Sequence, residues 1–172
     1  MTEADPEAVL IGGAYGTGKS SVAAEMAELL EVRDVPYAAI DLDWLMWANV
    51  ADAHGEAGNR LMLANLAPMI GNYRAAGLTR FILAGLLTSV DERQRLRETL
   101  GMRLRVVRLT VPIDDIERRL GSDPTSGRRD DLEHSRRQAS EEVGAGLEDV
   151  TVANDRPIRE VAAEIIAWLG WA

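Results

Sequence analysis

Gly12-Gly13-Ala14-Tyr15-Gly16-Thr17-Gly18-Lys19-Ser20 is the stretch whose reading decides the fold. Gly13, Gly18, Lys19 and Ser20 satisfy the spacing G-x-x-x-x-G-K-[ST]. Glycine reaches positive φ without steric cost and lets backbone approach an anion closely. Successive N–H groups in such a turn form a concave anion nest. The apolar run Val9 to Ile11 reads as a strand entering the loop. Beyond the loop, Val22, Met26, Leu29 and Leu30 recur at helical spacing. That helix aims the positive end of its dipole at the nest. Strand, glycine loop and helix together make a cradle for polyphosphate. The candidate nucleotide-binding residues are therefore Gly13, Ala14, Tyr15, Gly16, Thr17, Gly18, Lys19, Ser20 and Ser21. Lys19 is expected at the β- and γ-phosphates, and the Ser20 hydroxyl on Mg²⁺, with Ser21 a weaker substitute.

The rest of the composition narrows the setting. The chain has 172 residues, enough for one domain with a real core and short for two. Of its 19 basic residues, Lys19 is the one lysine and the others are arginine. A coding bias toward Arg, Ala and Gly explains the imbalance, and the single lysine falls where a compact ammonium is chemically required. The net charge of −9 repels phosphate at long range, so nucleic acid is not an expected partner. There is no cysteine, which removes disulfides, cysteine-ligated zinc and a thiol nucleophile. No apolar run is long enough to span a bilayer. Met1 to Ala8 carries three acids and no base, unlike a signal peptide, and a cytoplasmic location is expected.

Strands and helices alternate along the chain. Pro36–Leu42, Thr79–Leu87, Leu104–Val111 and Val150–Ala153 read as further strands. Helical patterns cover Trp44 to about Ala53, Leu61–Ala76, Asp91–Leu100, Asp114–Leu120, Leu132 to about Val143 and Ile158–Leu169. Gly55 and Gly58 read as a turn, and Ser122–Arg129 as a polar loop. Five alternations imply an α/β fold: a five-stranded parallel sheet with helices on both faces, in the three layers of a P-loop NTPase. A single domain spanning 1–172 is expected.

In order and size the chain resembles the small P-loop kinases: nucleoside monophosphate, shikimate, gluconate and adenylylsulfate kinases. Asp41-Leu42-Asp43 at the end of the second strand is similar to the D-x-D of shikimate kinases. That resemblance implies that Asp41 helps organise Mg²⁺ and that Asp43 lies near the acceptor hydroxyl. A strand-end turn and a helix N-cap are the structural alternative for this pair. Residues 117–137, with Gly127-Arg128-Arg129-Asp130-Asp131, Arg136 and Arg137, look like the lid of nucleoside monophosphate kinases. The lid reading makes Arg128 and Arg129 catalytic and puts Arg118 or Arg119 beside the adenine. The alternative is a solvated charged helix. Val152 to Pro157 resembles the adenine-edge loop, with Asn154 in it.

The chain also departs from the pattern. Phe81-Ile82-Leu83-Ala84-Gly85-Leu86 ends without a Walker B aspartate and without the triple glycine of shikimate kinases. Any Mg²⁺ must therefore rest on Ser20 with Asp41 and Asp43. Gly55-Glu56-Ala57-Gly58-Asn59-Arg60 echoes a shikimate kinase G-E-x-x-F-R motif, placed closer to the D-x-D. Arg60 and Arg93 are candidate acceptor residues, as is Asp43. Trp44 and Trp47, three apart, read either as core or as the wall of an apolar or ring-bearing acceptor pocket. His54 and His134 read as surface residues.

The resemblance implies an ATP- and Mg²⁺-dependent phosphotransferase acting on a small-molecule acceptor, a metabolite or an antibiotic hydroxyl. The other readings are a nucleotide-dependent switch or regulatory ATPase without an acceptor, and a P-loop kept for structure alone. A GTPase is disfavoured, because N-K-x-D is absent. A monomer or a homodimer is expected, with Trp168 and Trp171 as exposed apolar residues that would support a dimer.

Overall fold

β1 (Glu7–Gly12), β2 (Ala38–Asp41), β3 (Arg80–Ala84), β4 (Arg103–Thr110) and β5 (Val150–Ala153) form one sheet in the order β2-β3-β1-β4-β5. All four pairings are parallel. The computed structural model describes residues 5–49, 52, 55–122, 137–138 and 143–171. Between the strands run α1 (Lys19–Glu31), α2 (Leu42–Leu45), α3 (Glu56–Ala75), α4 (Val90–Leu100) and α5 (Ile113–Ser122), and α6 (Ile158–Leu169) closes the chain.

β1 and β3 carry apolar residues at consecutive positions because both of their faces are covered, while β4 interrupts its apolar positions with Arg105 and Arg108. In β1, Val9 and Ile11 face α1 and α6, in a cluster with Met26, Leu30, Ile165 and Ile166. Ala8 and Leu10 face α3 and α4, in a cluster with Leu66, Ile70, Leu96 and Leu100. β3 splits the same way, Ile82 to the first cluster and Phe81 to the second. The result is the expected three-layer α/β arrangement of a P-loop NTPase. β1 lies in the middle of the sheet, so the loop after it opens into the crevice at the strand carboxyl ends.

Three local expectations change. The helix expected from Trp44 to about Ala53 is instead the single turn Leu42–Leu45. It starts early because the Asp41 carboxylate caps the Asp43 amide, at 3.1 Å. It stops after Leu45, whose carbonyl is met by the Asn65 side chain of α3 at 2.7 Å. The next helix begins at Glu56, so Gly58 lies buried inside its first turn and not in a turn before it. Asp52 causes this: its carbonyl takes the Gly55 and Gly58 amides and its carboxylate takes that of Ala57.

Trp171 is the third correction. It is buried, at 5% exposure, and its indole N–H donates to Glu7 Oε2 at 2.9 Å. Arg105 grips the same carboxylate and the Leu169 carbonyl, and its guanidinium lies 4.8 Å above the Trp168 ring. Trp171 is thus part of a latch joining the C-terminus to β1 and β4, and offers no exposed surface to a partner. No described helix is long and apolar enough to cross a membrane.

Candidate functional site

The glycine loop is shaped by backbone conformations that side chains resist. Gly13, Gly16 and Gly18 have φ of 134°, 82° and 91°. A Cβ on Gly13 would come within 2.7 Å of the Leu109 carbonyl and 2.8 Å of Thr17 Oγ1. Glycine is required there by space as well as by angle. Three donors converge on the Ala14 carbonyl: Thr17 Oγ1 at 2.8 Å, the Thr17 amide at 3.3 Å and Lys19 Nζ at 3.2 Å. They hold the loop in a closed ring.

α1 starts directly from this ring. Its first bond runs from the Val22 amide to the Gly18 carbonyl, and the amides of Lys19, Ser20 and Ser21 precede it. Among the described residues no side chain caps the N-terminus, and the first turn itself carries no acid. The geometry suits an anion at the loop.

Ser20 Oγ donates to Asp41 Oδ2 at 2.6 Å. Asp41 is at the end of β2, paired in register with Ala84 of β3. No acid stands at the end of β3. Its last residue is Ala84, and Gly85 follows, tight against Leu42: a Cβ on Gly85 would come within 2.9 Å of Leu42 Cδ1. The carboxylate that meets the loop serine is thus supplied from one strand further out. Among the described residues, no group of three or more His, Asp or Glu gathers to hold a metal. A hydroxyl beside a carboxylate suits Mg²⁺, which takes one or two carboxylates, keeps several waters and completes its octahedron with phosphate oxygens.

Lys19 lies close enough to both acids to feel them. Burial pulls its ammonium below the ordinary lysine pKa of 10.5, while Asp43 and then Asp41 oppose the shift. Lys19, Ser20, Asp41 and Asp43 therefore form one cluster at the carboxyl ends of β1 and β2.

Asn154 approaches the loop from the far side of the sheet. It is 3% exposed, and its Nδ2 donates to the Thr17 carbonyl at 2.8 Å. Its backbone amide extends the β4–β5 pairing onto the Thr110 carbonyl. Asn154 thus ties the loop after β5 to the glycine loop, a role beyond the edge-of-adenine position that its sequence context suggests. Tyr15 has a partner that sequence spacing gives no hint of: its amide donates to Gln138 Oε1 at 2.7 Å.

Other site residues scatter. Arg93 donates to the Leu147 carbonyl and to both oxygens of Asp149, so it braces α4 against the turn before β5. Arg60 is exposed and pairs with Glu56 one turn earlier. Arg118 is exposed on α5 and pairs with Asp115. The backbone of Arg119 belongs to α5, and its side chain lies outside the described residues, as do Arg128, Arg129, His54 and His134. The lid reading of 117–137 therefore falls mostly outside them too. Trp44 and Trp47 are not core: they are 68% and 76% exposed, with ring centroids 4.7 Å apart and planes inclined by 38°.

No family model matches the chain, and no curated protein does. Solved structures do match. The APS kinase of Mycobacterium tuberculosis, in complex with AMPPNP and APS, aligns with a TM-score of 0.61 at 22% identity, covering 96% of this chain and 98% of that one. A gluconokinase from Sinorhizobium meliloti gives 0.61 at 21% identity, over 96% and 92% of the two chains. The tunicamycin resistance protein of Deinococcus radiodurans gives 0.61 at 17% identity, over 97% and 96%. The chain has the fold of the small P-loop kinases. At these identities the likeness is one of fold.

Proposed function

We propose that this protein transfers the γ-phosphoryl group of ATP, with Mg²⁺, to a hydroxyl of a small molecule. The observation that carries the proposal is the cluster of Lys19, Ser20, Asp41 and Asp43 at the mouth of an anion nest. Nucleotide binding alone needs only the nest and the metal pair, whereas transfer also calls for a further acid that orients the attacking oxygen. Asp43 is that further acid. It is exposed, next to Asp41, and within the electrostatic reach of Lys19.

The chemistry follows from these placements. The loop amides and Lys19 hold the β- and γ-phosphates. Ser20 and Asp41 would hold the metal, which when bound neutralises charge on those phosphates. Asp43 orients the acceptor hydroxyl and accepts its proton. The hydroxyl oxygen bonds to the γ-phosphorus as the bond to the β,γ-bridging oxygen breaks, and ADP leaves. From the sequence resemblance, and not from any placement, Arg128 and Arg129 would serve as lid cations on the migrating phosphoryl, and Arg118 or Arg119 would flank the adenine. The APS kinase and gluconokinase that share the fold fit the same class of reaction.

The test is transfer of label from γ-labelled ATP, with Mg²⁺, to a mixed panel of acceptors, with Lys19→Ala as control. A labelled small product that Lys19→Ala abolishes supports the reading. Free phosphate alone, indifferent to every acceptor, would favour the regulatory ATPase.

A further inference from the structure

We infer that the acceptor is a hydroxyl compound with a flat ring face and no negative charge, held on a platform made by Trp44 and Trp47. The inference rests on the phosphotransferase reading and specifies its substrate class. Large exposed apolar side chains in contact with each other are the informative exception on a protein surface. These two indoles lean on one another and still keep more than two thirds of their surface open. Hydrophobic burial therefore does not explain their position. Trp44 follows Asp43 directly in the one-turn helix α2. Asp41 caps that helix while accepting from Ser20, and Asn65 fixes its far end through the Leu45 carbonyl. The helix that carries Trp44 is therefore anchored at both ends, Trp47 follows two residues beyond its second anchor and meets the Trp44 ring, and the Asp41 anchor is also part of the phosphate-side cluster.

The charge pattern supplies the second half of the inference. From Asp41 to Glu56 the sequence carries Asp41, Asp43, Asp52 and Glu56 and neither lysine nor arginine. On α3 and α4, Arg60 is paired with Glu56, Arg93 with Asp149, and Arg95 with both Glu56 and Asp91, which leaves Asp41 and Asp43 as the acids next to Trp44 in the chain. A carboxylate or sulfate on an acceptor lying against Trp44 would meet the carboxylates of Asp41 and Asp43, at a cost. An aromatic face with two carboxylates beside it in the chain favours a flat neutral ring, by stacking, or a ring bearing an ammonium, by cation–π attraction.

The experiment compares ring-bearing alcohols without negative charge, uridine and tyramine among them, with the anionic acceptors gluconate and shikimate. Label transfer from ATP and quenching of tryptophan fluorescence in the presence of ADP are both read. The expected result is transfer to the first group. Trp44→Ala should lower kcat/KM about tenfold or more, Trp44→Phe should restore most of it, and quenching should disappear in the Trp44→Ala/Trp47→Ala double variant. Trp168 and Trp171 supply the constant background signal. Transfer confined to gluconate or shikimate and unaffected by the tryptophan changes would overturn the inference and leave the phosphotransferase reading standing. If no acceptor is labelled, that reading fails, and the quenching decides the platform: no change with any ring compound overturns it. A dimer in solution that dissociates on Trp44→Ala would also overturn it, by giving the rings to a second copy.

Discussion

The hydroxyl of Ser20 donates to a carboxylate oxygen of Asp41 across 2.6 Å, joining the first turn of α1 to the end of β2. The register that puts Asp41 beside Ala84 makes this possible, because the strand between the two partners ends in small residues. Either side chain alone is a poor magnesium ligand. Together they place a hydroxyl and a carboxylate at one point. Ser20→Ala and Asp41→Asn are each expected to raise the Mg²⁺ concentration needed for half-maximal turnover, by about 10- to 100-fold. The double variant should be little worse than either single one, since the pair acts as a unit. A magnesium titration of turnover for the three variants checks this. Additive losses would mean that the two residues act separately.

Lys19 provides a pH signature. Burial lowers its pKa, so between the folded value and 10.5 the unfolded chain keeps a proton that the folded chain has lost. Stability contributed through Lys19 therefore rises with pH across that window, and the cost of burying the ammonium is felt below it. Bound phosphate reverses the preference by favouring the charged amine. Nucleotide affinity should fall as pH rises through the lowered pKa, with proton uptake on binding above it. Calorimetric titration with ADP in buffers of different ionisation enthalpy measures both. Lys19→Met should bind more weakly by about 1.5–3 kcal/mol and lose the alkaline decline.

The readability of this chain follows the range of its interactions. The sheet is legible because β1 and β3 are continuous apolar runs followed by glycine, and β4 sets leucine and valine between its arginines. The nest is legible because its geometry is local: Gly13, Gly18, Lys19 and Ser20 lie within one turn and its helix. α2 is misread because its far limit is set from a distance, by Asn65 of α3, while its start is the local cap by Asp41 that the sequence offers as the alternative for this pair. Trp171 looks exposed in a terminal pattern, yet its partner, Glu7, comes from the opposite end of the chain. Gln138 on the Tyr15 amide is likewise a pairing across 123 residues, with no spacing to betray it. Arg93 carries a charge that reads as a ligand, and only the fold brings Asp149 to it.

Asp43 separates chemistry from binding. Asp41, and not Asp43, caps α2 and meets Ser20, so replacing the Asp43 carboxylate leaves those contacts in place. Asp43→Asn should lower kcat by about 10²- to 10⁴-fold, the usual contribution of a positioned proton acceptor. ADP affinity should change far less. Steady-state rates and a binding isotherm on the same preparation test this. Equal losses in both would assign Asp43 to the metal or to the fold.

Trp171 tests the C-terminal latch. Its ring is buried and its N–H shares the Glu7 carboxylate with Arg105. Trp171→Ala removes a large packed side chain and one donor to a half-buried acid. Stability should fall by about 3–5 kcal/mol, read from urea denaturation. The molecular mass in solution should not change, because the ring faces inward.

Asn154 connects stability to function at the nucleotide end. One carboxamide, 3% exposed, holds the Thr17 carbonyl, and Thr17 in turn holds Ala14. Asn154→Ala leaves that carbonyl without this donor in a buried setting, at a cost of about 1–3 kcal/mol in folding stability. If the bond only fastens β5 to its neighbour, the loss stops there. A glycine loop braced through Thr17 makes a further demand: ADP affinity must fall as well, since the amides of the nest are no longer held in place before the phosphates arrive. Denaturation and ADP titration of the same variant separate the two, because a purely structural bond lowers the first and spares the second in the folded fraction.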